Sequence, residues 1–272
     1  MAYANPTSLV VLSVCGALAA ATVVVGCGGA SGGMRGVGGS GAGGSVGGLG
    51  GSGFDAGPGV GGMTTVIPLD CANGVDPAVP PLTDFSSTSW SNTLGKWNTP
   101  SRDLTGSKYS AGGPMSTMTN VITATDNPSF NLTGMVAAGD YAFGLLSFDK
   151  CVNTHTYTGV QFTVGGDAAG CDLYFLLQTF EQQGVANKGG CPAGGSCYVF
   201  PRKKIPVPTT PTPTVVLFSE LTDGVPTDPN TMKGEIVGVQ WQFQSAPPPD
   251  GGIQAACTGI NVTIDDVGFS TQ

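Results

Sequence analysis

Three glutamates and one histidine bound the chemistry these 272 residues can do. A glycoside hydrolase needs two carboxylates flanking the bond it cuts, about 5 Å apart for retention and 6.5 to 9.5 Å for inversion. Glu181, Glu220 and Glu235 sit in no recognisable catalytic motif. A Ser-His-Asp or Cys-His arrangement would rest on His155 alone, inside "NTHTYTG", with no G-x-S-x-G beside it. The lone histidine and the lack of any C-x-x-C argue against zinc as well. His155 therefore reads as a loop or surface residue, and an enzyme with an unrecognised carboxylate pair is only the third functional expectation.

Amide side chains are the stronger candidates. In "EIVGVQWQFQS" the residues Val237, Val239, Trp241 and Phe243 alternate with Gly238, Gln240, Gln242 and Gln244. In "CDLYFLLQTF" Leu173, Phe175 and Leu177 alternate with Asp172, Tyr174, Leu176 and Gln178. Period two marks a half-buried strand with one face inward. Tyr174, Gln178, Gln240, Gln242 and Gln244 would then share an outward platform of paired donors and acceptors, as sugar hydroxyls require, with a ring for apolar contact. The plain alternative is a face that is merely soluble. Trp241 falls on the inward set and reads as core. Trp90 and Trp97 belong to an early strand and loop. Asp265 and Asp266 pose a different problem, since one of two adjacent strand residues must point inward and an unpaired buried carboxylate is costly. A cation or a backbone hydrogen-bond network would satisfy it, and a capped turn is the simpler reading.

The elements that must position these residues are strands. "YAFGLLSF", "YTGVQFTVGG", "TVVLFSEL" and "GINVTIDDVGF" join the two above, separated by Pro, Gly, Asn and Asp clusters. No segment sustains a helical period, so the expected class is all-β, a two-sheet sandwich over residues 66–272. Ten Lys and Arg against eighteen acids, a net charge of -8, argue against nucleic acid as a partner. The run Arg202, Lys203, Lys204 reads as a solvated loop face. "GVANKGGCPAGGSC" followed by "RKKIPVPTTPTPT" predicts a disulfide-bearing insertion near 181–214, Pro-rich and projecting.

The first 65 residues are of another kind. An apolar run from Leu9 to Gly26 ends in Val24, Val25, Gly26, Cys27, which resembles the lipobox of bacterial lipoproteins, although residues 1–10 carry no Lys or Arg. The resemblance implies a signal peptide over 1–26, lipidation of Cys27 and anchoring to the membrane, with the outer membrane as default address because Gly28 replaces the retaining aspartate. Uncleaved anchoring or plain secretion is the alternative. Residues 27–65 are Gly-rich, too poor in large apolar side chains to offset chain entropy. As a random coil their ends would lie roughly 30 to 35 Å apart. With Cys15 removed and Cys27 lipidated, six cysteines remain, Cys71, Cys151, Cys171, Cys191, Cys197 and Cys257, enough for three disulfides. Cys191 with Cys197 is expected across "PAGGS". Cys151 with Cys171, flanking one strand, is the second expected pair, leaving Cys71 with Cys257.

Taken in order, "VVLFSEL", "DPNTMKGEIVGVQWQF" and "GINVTIDDVGF" resemble the C-terminal half of a galactose-binding-like jelly roll of the kind found in carbohydrate-binding modules. "LTDFSSTSW", "YAFGLLSF" and "YTGVQFTVGG" fit the same arrangement more loosely, and "SELTDGVPTD" lacks the tryptophan often found after Ser-x-Leu. The Gly tether and cysteines also resemble myxobacterial lipoproteins. The resemblance implies a non-catalytic domain binding polysaccharide or glycan, with no cofactor beyond a structural calcium near the joined chain ends, for which Asp84 and Asp266 are the candidates. The alternative is a structural or adhesion protein of the envelope that contacts another protein through the insertion.

Overall fold

The computed structural model describes residues 67–76, 82–83, 85, 90–91, 96–99, 104–123, 127–193, 195–226, 228, 230, 233–246 and 254–272. All lie in the second of two units, Phe54–Gln272. The expected signal peptide, Cys27, the tether and Asp84 fall outside the described residues. No helix among the described residues is long and apolar enough to cross a membrane.

The chain runs through twelve strands: β1 (Trp90–Ser91), β2 (Lys96–Thr99), β3 (Leu104–Gly112), β4 (Thr117–Ile122), β5 (Phe130–Val136), β6 (Tyr141–Val152), β7 (Gly159–Asp167), β8 (Cys171–Thr179), β9 (Arg202–Ile205), β10 (Thr212–Leu217), β11 (Ile236–Ser245) and β12 (Cys257–Ser270). Single 3-10 turns lie at Phe180–Gln182, Val185–Asn187 and Phe218–Glu220. The strands form a seven-stranded sheet in the order β1-β2-β3-β6-β11-β8-β9 and a five-stranded sheet in the order β10-β7-β12-β5-β4, with every named pairing antiparallel. This is the expected all-β, two-sheet jelly-roll sandwich.

Alternating side chains from both sheets fill the space between them. Trp241 of β11 is fully buried, with Phe130, Phe162 and Phe175 around it at centroid distances of 6.1, 5.5 and 6.0 Å. The inward set read from β11 and β8 thus forms the heart of the core. Strand β3 buries a cation, because Lys108 points inward with Leu104. Its Nζ donates to Asn120 Oδ1 (2.7 Å) and to the Asn120 carbonyl (3.3 Å), tying the two sheets at one edge. Burial lowers the Lys108 pKa.

Two expectations need correction. The stretch near 181–214 does not simply project, because β9 and β10 inside it are edge strands of opposite sheets, leaving residues 180–201 as the loop proper. Arg202, Lys203 and Lys204 are therefore a strand and not a loop. The disulfides join Cys71 to Cys151, Cys171 to Cys257 and Cys191 to Cys197. The last is as expected, but a Cys151–Cys171 bridge is ruled out by the strand between them. Cys151 precedes β7 and Cys171 follows it, and the ends of this nine-residue strand lie about 27 Å apart. A disulfide requires Cα atoms about 4.4 to 6.8 Å apart.

Candidate functional site

The register of the seven-stranded sheet lines up its outward residues in rows that cross the strands. Phe143, Gln242, Tyr174 and Lys204 stand side by side on β6, β11, β8 and β9, with Ala111 of β3 beside Phe143. The next row is Tyr109, Leu145, Gln240, Leu176 and Arg202. Beyond it come Ser107, Ser147, Gly238 and Gln178, and on the other side Tyr141, Gln244 and Asp172. All five predicted ligand residues, Tyr174, Gln178, Gln240, Gln242 and Gln244, share this face because β8 and β11 are neighbours.

They are not equivalent. Gln178 Nε2 donates to Gln240 Oε1 (2.8 Å), and Gln240 Nε2 donates to Gln242 Oε1 (2.9 Å). The chain lies flat because Gly238 has no side chain; a Cβ there would sit 2.7 Å from Gln178 Oε1. Gln178 and Gln240 are 3% and 4% exposed, so they are consumed by the ladder and do not form an open platform. Gln242 ends the ladder half-buried, with its amide N–H groups facing no described partner, and Gln244 is half-buried beside it. Tyr174 also differs from expectation, since Arg202 lies over its ring at 4.9 Å and covers one apolar face.

The sequence reading missed the aromatic group at the other side of the ladder. Phe143 stacks with Tyr141 at 6.3 Å and 10° and contacts Tyr109 at 6.2 Å. Tyr109 and Tyr141 are 37% and 43% exposed. "YAFGLLSF" is apolar on both faces, which concealed that Tyr141 and Phe143 face outward, and "KYSAG" in β3 carries almost no alternation. Phe143 and Tyr174 flank Gln242 one strand away on each side, hence about 10 Å apart. Rings about that far apart with amide donors between them match the alternating apolar and hydroxyl surfaces of a sugar chain.

Cations on the β9 side are balanced. Arg202 Nε donates to Asp223 Oδ2 at 2.6 Å, Lys203 Nζ to Glu220 Oε1 at 2.7 Å and Lys204 Nζ to Asp172 Oδ1 at 2.7 Å. The bond to Asp172 raises the Lys204 pKa, and the bond to Lys203 holds Glu220 below the usual carboxylate range. Glu235, just before β11, is raised by burial and then by the charge of Glu181, and its Oε2 is buried without a hydrogen bond.

Asp265 is buried and its Oδ1 accepts the Asp266 N–H (2.8 Å), while Asp266 turns outward at φ 50° in an irregularity of β12, where Thr163 donates to its Oδ2 (3.1 Å). The backbone thus resolves the adjacent-carboxylate problem. Thr83 and Val267 exchange both backbone bonds at 2.9 Å, joining the first segment to the last strand beside Asp266. Among the described residues no cluster of three or more acidic, Cys or His side chains could hold a metal ion. His155 is exposed in a turn, as expected.

No family model and no curated protein matches the sequence. Solved structures similar to this one include the family 11 carbohydrate-binding module of the cellulosomal cellulase Lic26A-Cel5E of Clostridium thermocellum, at 10% identity and TM-score 0.39 over 61% of this chain and 86% of that one. A family 61 carbohydrate-binding module, TmCBM61, in complex with β-1,4-galactotriose is similar at 8% identity and TM-score 0.30, over 61% and 88%. The glycoside hydrolase domain Endo-D of Streptococcus pneumoniae R6 is similar at 14% identity and TM-score 0.36, over 61% and 22%. Likeness this distant transfers no ligand and no residue role.

Proposed function

We propose that this domain binds a neutral glycan, without cleaving it, on the outer face of the seven-stranded sheet. The observation that carries the reading is the row Phe143–Gln242–Tyr174, with exposed Tyr109 and Tyr141 at its margin and the amide ladder fixing Gln242 from behind. A face already ordered by its own hydrogen bonds loses little conformational freedom when a ligand arrives. Neutral sugar is favoured because Arg202, Lys203 and Lys204 each already carry a carboxylate partner. Binding without cleavage is favoured because the row of Gln242 carries no carboxylate and Asp172, in the row beside it, is held by Lys204.

Titration of the full chain against a panel of neutral and uronate-containing polysaccharides, with and without a calcium chelator, tests this. A neutral polysaccharide should bind with no release of reducing ends, and Phe143→Ala or Gln242→Ala should weaken it at least about tenfold, the loss of one anchoring contact. Binding unaffected by both changes, or preferred binding of polyuronate, would sink the assignment. A fall in binding or melting temperature on chelation would support calcium at Asp266; no change would remove it. The same reading places the domain on a lipid anchor at Cys27, so Cys27→Ser should move the protein from the membrane to the soluble fraction. Retention in the membrane after that change would refute lipidation there.

A further inference from the structure

The loop 180–201 ends beside the glycan face. Arg202 lies on Tyr174 and so faces outward from the sheet. Pairing of β8 with β9 continues past that residue, with the Leu177 N–H donating to the Pro201 carbonyl (3.0 Å), which brings Phe200 opposite Gln178. Phe200 is buried yet lies outside the hydrophobic cluster between the sheets, so it belongs to the outer side. Tyr198 stands edge-on against it, with centroids 6.2 Å apart and planes at 74°, and is itself 52% exposed.

Although its ring is half exposed, Tyr198 is held by several contacts. Tyr198 has φ 66°, a left-handed conformation uncommon for an aromatic residue and unfavourable unless the surroundings impose it. The surroundings do. Cys197 immediately before it is bonded to Cys191, the Tyr198 N–H donates to the Gln182 carbonyl (2.8 Å), and Asn187 Nδ2 donates to Tyr198 Oη (3.2 Å). Gly184 completes the seat, since a Cβ there would collide with Tyr198 Oη. None of these restraints serves the core between the sheets. They hold one half-exposed aromatic ring in one place.

We propose that Tyr198 is a second aromatic contact for the ligand, beyond the Gln178 end of the face where β8 stops, and that the domain therefore selects long glycan chains over short sugars. The inference rests on the glycan reading above. Tyr174 and Gln178 are four residues, about 13 Å, apart along β8, and the Gln182 carbonyl holds Tyr198 past Gln178, where a disaccharide seated at Tyr109, Tyr141 and Phe143 does not reach.

The test is calorimetric titration of the full oxidised chain with size-fractionated di-, tetra- and octasaccharides of β-glucan, xylan and galactan. Tyr198→Ala should weaken octasaccharide binding about tenfold and leave the disaccharide within about twofold, the signature of one lost anchor at the end of a chain. Tyr198→Phe should keep octasaccharide affinity, and Cys191→Ser with Cys197→Ser, which frees the loop without removing the ring, should reproduce the length-dependent loss. Unchanged octasaccharide affinity in Tyr198→Ala, or equal losses at every length, overturns the role of Tyr198 and leaves the glycan face standing. No saccharide binding by the unaltered chain overturns both.

Discussion

The two outer faces of the sandwich are built from different side chains and behave differently. On the five-stranded sheet the outward polar residues are mostly short: Thr119 pairs with Thr133 at 2.7 Å, Asn131 with Asn261 at 3.3 Å, and Thr163 with Asp266 at 3.1 Å. These are cross-strand pairs on a wet surface, where a hydroxyl lost is replaced by water. On the seven-stranded sheet the outward residues are long amides and rings, and two glutamines are almost fully buried although they are not between the sheets. A polar group that is buried must keep its partner, so that face is organised like an interior. The difference shows where a surface has been ordered for contact and where it has only been made soluble.

The comparison can be broken most directly at Gln240. Changing Gln240→Leu leaves Gln178 Nε2 and Gln242 Oε1 without their partners, and should cost about 1 to 3 kcal/mol in urea unfolding. Thr133→Ala on the opposite face should stay within about 0.5 kcal/mol. Equal effects would mean that the ladder is no more than surface decoration.

A smaller effect sharpens the picture at the end of β11. The Glu235 pKa lies above its ordinary value because burial, and then Glu181, oppose its charge. The folded state therefore holds that proton more tightly than the unfolded chain, and the associated stability is present in acid and lost as pH rises through the folded pKa. Glu235→Gln should raise the melting temperature at neutral pH and leave it unchanged below about pH 4, where the unfolded carboxyl is protonated too. A variant less stable than the parent at neutral pH would show that Glu235 has a favourable partner when ionised.

Much of the fold was legible because period two is strong where one face is apolar and the other is amide, as in β11 and β8. Strands β3, β4 and β5 carry Lys, Thr, Asn and Gly on alternate positions, so their pattern is diluted. In β3 it is inverted at Lys108, whose ammonium finds Asn120 between the sheets. The candidate site was half legible. Glutamines spaced by two were plain, but a string of letters does not say that Gln178 and Gln240 bond to each other, nor that Arg202 of β9 covers Tyr174. Tyr141 and Phe143 were hidden by a strand apolar on both sides, and Tyr109 by a strand with almost no alternation.

Local chemistry was determined by the sequence alone: the all-β class, the inward place of Trp241, the short Cys191–Cys197 bridge and the shared face of Gln240, Gln242 and Gln244. Each depends on residues close along the chain or on the two-residue repeat of an extended backbone. The sheet order, the two long disulfides and the aromatic cluster were decided only by the tertiary structure. These join residues tens of positions apart, and which strands become neighbours is a property of how two sheets pack, which no single segment encodes.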